Sequence, residues 1–382
     1  MKISYYSFFY ALVLSTVLLS CICFIRKKSY FSSTKEVKTF ICLYALCFIR
    51  LLLPLDFTFT AGVLCPGLYS IVFDFFIYRK FRIFHYEFSL IMIIFITVLF
   101  ISVIKIFLYA KGCYKTAPKA TTDKPYDPEQ LLRVNHKIKK IYPQLPSYPV
   151  IENQQISVPL ASGILKKRII MPAIKYSDSE LYYILLHEYT HLSENDVLKK
   201  YIVDILCTVF WWIPFKKFIC KDMEQMLEIN CDSAITKQLS KEKKAEYASI
   251  LLKEAKRASA NDVHSYMTNT ALSFTFAENP HALIERFRLM AGDSKTNTKH
   301  KSKIFIAGGF LLLIFSYLAV PVPCFEPDIE EVEKFGSTAV LPDNSYLYKE
   351  NDTYFLKTEK FTISVSPEHA HNMMDSGIPL KE

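Results

Sequence analysis

The feature that most constrains this chain is a run of 21 residues, 304–324, that contains no charged side chain. A helix of about 20 apolar residues is long enough to cross the hydrocarbon core of a bilayer. Similar apolar runs occupy residues 5–25 and 89–110, and a shorter run occupies residues 39–55. We interpret these four runs as membrane spans, the first three forming a membrane domain over residues 1–110. The sequence therefore predicts a multi-pass α-helical membrane protein.

A cleavable signal peptide is the alternative interpretation of the first run, because Leu19-Ser20-Cys21 resembles a lipoprotein cleavage site. The apolar run continues past Cys21, and three positive charges at 26–28 close it. This is the pattern of a stop-transfer segment. We therefore expect the run to be retained as a span.

The charges of the loops predict which side of the membrane each segment faces. Residues 26–38 hold five Lys/Arg and one acidic residue, and residues 111–303 have lysines near both ends. By the positive-inside rule both segments are cytoplasmic, so the N-terminus, the loop 56–88 and the short acidic tail 325–382 lie outside. A nucleic-acid-binding protein concentrates its positive charge on one face or helix. Because the net charge of +9 follows the spans instead, we predict no direct contact with nucleic acid.

Two features of the outer segments leave alternatives open. The loop 56–88 holds a basic cluster at 79–82, which the positive-inside rule would place on the cytoplasmic side. It also holds an apolar stretch, 61–78, that could enter the bilayer. Of the ten cysteines, only Cys65 and Cys324 are predicted to lie outside both the spans and the reducing cytoplasm, so these two could form a disulfide.

The motif that carries chemistry is His187-Glu188-Tyr189-Thr190-His191, in the predicted cytoplasmic segment. A capping-box sequence at 177–180 predicts that a helix begins just before it. Residues four apart lie one turn above each other on a helix, so His187 and His191 can bind one zinc ion at about 2.0–2.1 Å from each nitrogen. Glu188 projects to the side and can reach a metal-bound water without ligating the metal. This pattern predicts an HExxH zinc peptidase in which Glu188 is the catalytic base.

A catalytic zinc site needs a third protein ligand and leaves the fourth position to water. Glu228, on the next polar helix, is the predicted third ligand, with Glu224 and Cys231 as alternatives. Asp232, one turn after Glu228, is predicted to hydrogen-bond a ligand histidine.

The apolar segment 201–215 between the ligand helices is not interpreted as a span. A single crossing there would place Glu228 on the opposite side of the membrane from His187. We instead predict that the segment lies on the inner membrane surface, with Trp211 and Trp212 at headgroup level.

Five motifs make residues 1–325 resemble the beta-lactam sensor-transducer (BlaR/MecR-type) family of membrane zinc metallopeptidases, which are antirepressor peptidases. These motifs are RLLLPLD at 50–56, IIMP at 169–172, HEYTH at 187–191, WWIP at 211–214 and EINCD at 228–232. The family is distantly similar to the CAAX prenyl protease and HtpX gluzincins, which have an element resembling Pro280 to Arg286. This likeness makes Arg286 a candidate oxyanion stabiliser, and the alternative is a solvated helix charge.

The resemblance implies a cytoplasmic α+β domain of gluzincin type over residues 111–303, holding one zinc ion. It further implies a signal transducer that cleaves itself or a cytoplasmic transcriptional repressor. An edge strand within residues 162–172 is predicted to hold the extended peptide substrate. The alternatives are a housekeeping membrane protease and a non-catalytic receptor or scaffold, although a purely structural site has no use for Glu188.

The tail is too short for a penicillin-binding domain. It has 58 residues, with no Ser-x-x-Lys and no Lys-Thr-Gly sequence, whereas serine-based penicillin-binding sites carry both. We predict that beta-lactams do not acylate this chain. Short alternating runs at 346–348 and 361–365 indicate a small β-rich module or a partner-docking tail.

Overall fold

We describe a computed structural model of the chain, which divides into two compact units, residues 1–323 and 324–382. The structure describes the following residues: 5–28, 31, 33–65, 67–78, 80–83, 86–116, 124–260, 271–273, 280–292, 299–323, 345–350, 353–357, 362–375 and 378–381. Cys324 lies outside the described residues, so its predicted pairing with Cys65 is not observable there.

The described residues form helices and short strands that follow one another along the chain in mixed order. The helices are α1 (Tyr5–Lys28), α2 (Thr34–Leu52), α3 (Leu68–Tyr78), α4 (Leu90–Thr116), α5 (Pro128–Ile141), α6 (Asp178–Ser193), α7 (Asp196–Val209), α8 (Lys216–Thr236), α9 (Lys241–Ala260), α10 (Pro280–Ala291), α11 (Lys299–Leu318) and α12 (Pro367–Asp375). The strands are β1 (Ala61–Cys65), β2 (Lys80–Ile83), β3 (Tyr86–Ser89), β4 (Lys124–Pro125), β5 (Val150–Asn153), β6 (Leu160–Ser162), β7 (Arg168–Pro172), β8 (Ala271–Ser273), β9 (Ala319–Pro323), β10 (Tyr346–Glu350), β11 (Thr353–Lys357), β12 (Thr362–Val365) and β13 (Leu380–Lys381).

Within the described part of the chain, two helices are long and apolar enough to span a membrane by length and composition. They are Tyr6–Lys27, within α1, and Leu90–Tyr114, within α4. Both coincide with predicted spans.

The other two predicted spans differ from the helices observed. α2 begins at Thr34, where Ser33 caps it by accepting a hydrogen bond from the Glu36 N–H, and it ends at Leu52 rather than at residue 55. α11 ends at Leu318, so the prediction of a span continuing to residue 324 is wrong at its end. The last residues instead form β9, which pairs in parallel with β1, and the prolines of β9 cannot continue a helix.

The apolar stretch 61–78 forms no continuous membrane helix. It consists of β1 followed by the 11-residue helix α3. Eleven residues are too few to cross a bilayer as a helix.

α1 and α2 share a hydrophobic core with α7 and α8. This core includes Leu19 of α1, Phe48 of α2 and Met226 of α8, together with Phe210, which directly follows α7. α7 also runs beside α4, where the Ser102 hydroxyl donates to the Val209 carbonyl at 2.9 Å and the Tyr109 hydroxyl to Asp204 at 3.2 Å. The segment 201–215 is therefore packed against α4 and against the core that it shares with α1, α2 and α8.

A five-stranded sheet lies beside the central helix α6. Its strand order is β4-β5-β7-β6-β8, with β5 and β7 parallel and β6 antiparallel to both of its neighbours. The inner faces of β5 and β7 pack onto α6 through side chains such as Val150, Ile169 and Leu185. The predicted edge strand within 162–172 is wrong, because the strand in that range, β7, lies inside the sheet between β5 and β6.

The described residues of the second unit form a small mixed sheet and one helix. Its strand order is β12-β11-β10-β13, and the predicted runs at 346–348 and 361–365 fall in β10 and β12. The core of the unit is formed by four buried residues: Leu347, Leu356, Val365 and Ala370.

Candidate metal centre

The two histidines of the motif lie on one face of α6. The helix begins at the predicted capping box, in which the Glu180 N–H donates to the Ser177 hydroxyl at 3.3 Å and the Ser177 N–H to the Glu180 carboxylate at 2.9 Å. Both histidines are 1% exposed. Their Nε2 atoms are 3.0 Å apart, as expected for imidazoles one turn apart that point at a common position.

Glu228 of α8 completes a triangle of donor atoms. Its Oε2 lies 3.3 Å from His187 Nε2, and its Oε1 lies 3.4 Å from His191 Nε2. Ligands about 2.05 Å from a tetrahedral zinc ion are about 3.3 Å apart. The three side chains therefore fit a zinc ion, with room for one more ligand.

Each histidine is held by a hydrogen bond to its second ring nitrogen. His187 Nδ1 lies 2.7 Å from the Tyr247 hydroxyl, which in turn donates to Asp232 Oδ1 at 2.7 Å. His191 Nδ1 lies 2.9 Å from Asp196 Oδ2. Such bonds fix the ring orientation, leave Nε2 to the metal and are usual in metal sites.

Tyr247 and Asp196 were not predicted from the sequence. Asp232 was expected to hydrogen-bond a ligand histidine directly, but its Oδ1 is 3.7 Å from His187 Nδ1 and acts through the Tyr247 hydroxyl. Asp196 follows His191 by only five residues, and this short separation could have indicated their hydrogen bond. Tyr247 comes from α9 and has no local signal.

Arg286 of α10 is fully buried and connects two acidic residues of α8. Its Nε and Nη2 donate to Asp232 at 2.6 and 2.8 Å, and its Nη1 lies 2.7 Å from Glu228 Oε2. With 1% exposure, Arg286 is not the solvated helix charge given as its alternative. Its guanidinium supports the site by holding Asp232 and Glu228 in place.

The two alternative third ligands lie in less suitable positions. Glu224 forms an ion pair with Lys200 at 2.8 Å. Cys231 is close enough to both histidines to form a possible metal cluster, but its Sγ is 3.5 Å from His187 Nδ1, the nitrogen bonded to Tyr247. Burial also raises the pKa of the Cys231 thiol to about 12, which disfavours the thiolate that a metal requires.

Two of the three ligand groups favour the protonation state that metal binding requires. Burial lowers the pKa of His187, and the neighbouring His191 lowers it further, so the His187 ring is neutral. Burial alone would raise the pKa of Glu228, but the charges of Arg286 and His191 hold it well below its usual range. A neutral imidazole and an ionised carboxylate are the forms that bind metal ions. Burial alone would lower the pKa of His191, but Cys231, Glu228 and the hydrogen bond to Asp196 raise it well above its usual value, so this ring releases a proton when a metal binds.

Glu188 is buried beside this cluster without ligating it. Burial raises the pKa of Glu188 to about 8; His191 and the Ala161 amide oppose this rise, whereas Glu228 adds to it. Among the described residues, Glu188 Oε2 has no hydrogen-bond partner. One carboxylate oxygen is thus available for a water molecule or a substrate.

A helix-borne histidine pair, a carboxylate from a second helix and a free buried glutamate are together the arrangement of a metallopeptidase. The chain belongs to the BlaR1 peptidase M56 family, whose sequence profile matches residues 82–290. The metallopeptidase class and the BlaR/MecR-type resemblance are thereby confirmed.

Two relatives with known roles are similar to parts of this chain. Regulatory protein BlaR1 of Bacillus licheniformis is 23% identical over 211 residues, which cover 55% of this chain and 32% of BlaR1. Methicillin resistance mecR1 protein of Staphylococcus aureus is 26% identical over 104 residues, which cover 26% of this chain and 18% of that protein. The chain thus spans a third or less of the relatives it matches.

Proposed function

We propose that this protein is a membrane-bound zinc endopeptidase of gluzincin type, with a cytoplasmic active site, that transmits a signal by proteolysis. The observation that carries the proposal is the triangle of His187, His191 and Glu228 donor atoms, 3.0–3.4 Å apart. Glu188 stands beside it with a free carboxylate oxygen.

In the proposed mechanism the three side chains hold one zinc ion. When bound there, zinc polarises the scissile carbonyl and makes its water ligand more acidic. Glu188 accepts a proton from the attacking water and passes it to the leaving nitrogen. Tyr247 and Asp196 keep both ligand rings oriented, and Arg286 holds Glu228 ionised.

The proposed substrate is this chain itself or a cytoplasmic transcriptional repressor. β8 supports self-cleavage, because this short segment of the chain pairs antiparallel with β6, the strand whose Ala161 amide lies near Glu188. An extended peptide added to a strand in this manner is a common mode of substrate binding. The signalling role is supported by the regulatory and resistance proteins to which the chain is similar.

The proposed topology has four spans in the bilayer, with the peptidase domain of residues 111–303 inside and the tail outside. The contacts of α1 support part of this arrangement. Arg26, near its predicted cytoplasmic end, forms an ion pair with Asp222 of the peptidase helix α8 at 2.8 Å. This contact supports the proposal that the end of α1 and the metal site lie on the same side of the membrane.

A direct test uses the full-length protein purified in detergent, with zinc content and fragment masses as its measurements. We expect about one zinc per chain in the unmodified protein and in Glu188→Gln, with self-cleavage fragments absent from Glu188→Gln. His187→Ala should lose the zinc. Glu194→Gln, an exposed carboxylate change at the end of the same helix, is the matched control.

Three results would decide against parts of the proposal. Unchanged fragments from Glu188→Gln would remove this residue from the mechanism. Zinc bound stoichiometrically by His187→Ala would show that the metal lies elsewhere. A zinc-binding protein without any peptidase activity would favour the non-catalytic receptor.

A further inference from the structure

A cavity of about 290 Å³ lies between α1, α2 and α11. A single water molecule needs only about 10–15 Å³ of such volume. Apart from Ser15 and Arg50, the residues that line it are apolar side chains, cysteines and glycines. Cys21 and Leu312, both in its lining, are exposed on the helix bundle, so the cavity opens to the surroundings of the bundle. Large apolar cavities stay free of water and accept apolar guests.

Two polar groups in this apolar lining have no partner. Arg50 Nε and Ser15 Oγ are both buried and form no hydrogen bond with any part of the chain that the structure describes. Each of the two residues is only 1% exposed. A buried donor without a partner costs about 1–3 kcal/mol, and a charged one costs more.

The Arg50 guanidinium is held by neutral groups and forms no ion pair among the described residues; its Cζ lies 4.2 Å from the centroid of the Tyr317 ring. Its Nη1 donates to the Leu53 carbonyl at 3.2 Å, and its Nη2 to the Ser316 carbonyl at 3.0 Å and the Ser7 hydroxyl at 3.3 Å. These neutral acceptors orient the side chain and leave Nε for another group. Ionisable residues within membrane segments are costly and usually serve a function.

Gly308 leaves the space on the α11 side open. A Cβ atom at Gly308 would meet nothing within 4 Å, whereas one at Gly309 would clash with the Leu43 side chain. Gly309 thus serves the close approach of α11 to α2. Gly308 has no such packing role, and glycine weakens a helix by about 1 kcal/mol relative to alanine.

We propose that this cavity binds one acyl chain of an anionic membrane phospholipid, whose headgroup is held at Arg50. The apolar walls suit the chain, and Ser15 offers a donor to an ester oxygen. The Arg50 guanidinium contacts the Tyr317 ring but forms no ion pair among the described residues, so its charge suits the anion. A bilayer surrounding the bundle is the source of such a ligand. The inference rests on the proposed membrane placement of α1, α2 and α11.

The test measures lipid retention by the full-length protein, using native mass spectrometry after exchange from detergent. The probes are palmitoyl-oleoyl phosphatidylglycerol, the corresponding phosphatidylcholine, and oleate. We expect one phosphatidylglycerol per chain, retained several-fold more often than either other probe. Gly308→Leu, which fills the cavity, should abolish this retention, and Ala307→Leu, on the exposed side of α11, should keep it.

Arg50→Gln separates the charge from the cavity. It should make the retention of phosphatidylglycerol equal to that of phosphatidylcholine, and Lys105→Gln, which changes a basic residue outside the cavity, should preserve the preference. Equal retention by Gly308→Leu and the unmodified protein would overturn the cavity site. A lack of preference in the unmodified protein would overturn the anionic ligand, and stronger retention of oleate would overturn the phospholipid.

Membrane placement is tested separately by alkaline carbonate extraction of membranes. Release of the chain into the soluble fraction would contradict the placement itself. Retention in the membrane, combined with failed lipid binding, would contradict only the lipid site. The two failures are therefore distinguishable.

Discussion

Arg26, two residues before the end of α1, forms a buried ion pair with Asp222 of α8, in which Nη2 and Oδ1 are 2.8 Å apart. The same guanidinium contacts Glu285 of α10 at 3.3 Å. Asp222 precedes Glu228 by six residues, about 9 Å along a helix, and Glu285 is adjacent to Arg286. Arg26 of α1 thus contacts both α8, which carries Glu228, and α10, which carries Arg286.

Replacing Arg26 by Gln should destabilise the protein strongly. Removing one partner of a buried pair leaves the other charge uncompensated and costs about 3–5 kcal/mol. The measurement is thermal or denaturant unfolding in detergent, where Lys27→Gln, an exposed neighbour, serves as control. If Arg26→Gln and Asp222→Asn are combined, the double variant should lose less stability than the sum of the losses in the two single variants. Additive losses would show that the pair is not coupled.

Replacing Tyr247 by Phe should weaken zinc binding without removing a ligand. The hydroxyl joins His187 Nδ1 to Asp232 at 2.7 Å on each side, and loss of such an outer partner typically costs about 10–100-fold in metal affinity. Competition with a zinc chelator measures the change. Tyr182→Phe is a matched control, because the Tyr182 hydroxyl is buried without a partner in the described structure. Equal affinities for the two variants would contradict the role of Tyr247.

Removing zinc should lower the unfolding temperature of the full-length protein. A ligand that binds only the folded state adds about 2.7 kcal/mol at a concentration 100 times its Kd. We expect a chelator to lower the unfolding temperature of the unmodified protein. The unfolding temperature of His191→Ala should not change, because this variant lacks a zinc ligand. An equal shift in both would mean that the chelator acts at another site.

The capping box at the start of α6 should make stability depend on pH in the acid range. The hydrogen bond from Lys253 is the main cause that lowers the pKa of Glu180 to about 2, with the Ser177 backbone and hydroxyl also contributing and burial opposing them. The unfolded value is about 4.3, so the carboxylate stabilises the folded state fully above that pH. This contribution is lost as the pH falls through about 2.

The measurement that checks this dependence is unfolding of the unmodified protein and Glu180→Gln between pH 6 and pH 2. The unmodified protein should be the more stable at pH 6, and the difference should shrink towards pH 2. Glu194→Gln, an exposed change on the same helix, should show no such trend. A difference independent of pH would exclude the ionised carboxylate as its cause.

The sequence was sufficient for the parts of the site that depend on local structure. A capping box and a four-residue spacing define the start of α6 and the common face of His187 and His191, because both depend only on helix geometry. Glu228 could be proposed because it lies on the next polar helix. Its status as a metal ligand stays a prediction.

The parts that the sequence could not supply depend on contacts between distant segments. Tyr247 reaches His187 across 60 residues, and Arg286 reaches Asp232 across 54. The strand within 162–172, β7, was expected at a sheet edge, but it pairs with β5 and with β6, and β8, more than 100 residues later, extends the sheet beyond β6. The end of α11 was misjudged because an uncharged run was counted as helix through its prolines.

The hydrophobic core shared by α1, α2, α7 and α8 has a consequence for biosynthesis. Phe48 and Leu19 leave the ribosome long before Met226, and they form part of the surface on which the Glu228 helix packs. A chain begun at residue 111 would expose that apolar side of α8 and lack Arg26. We therefore expect the metal site to form only after α1 and α2 are in place, so that the proposed proteolysis starts only after these helices have entered the membrane.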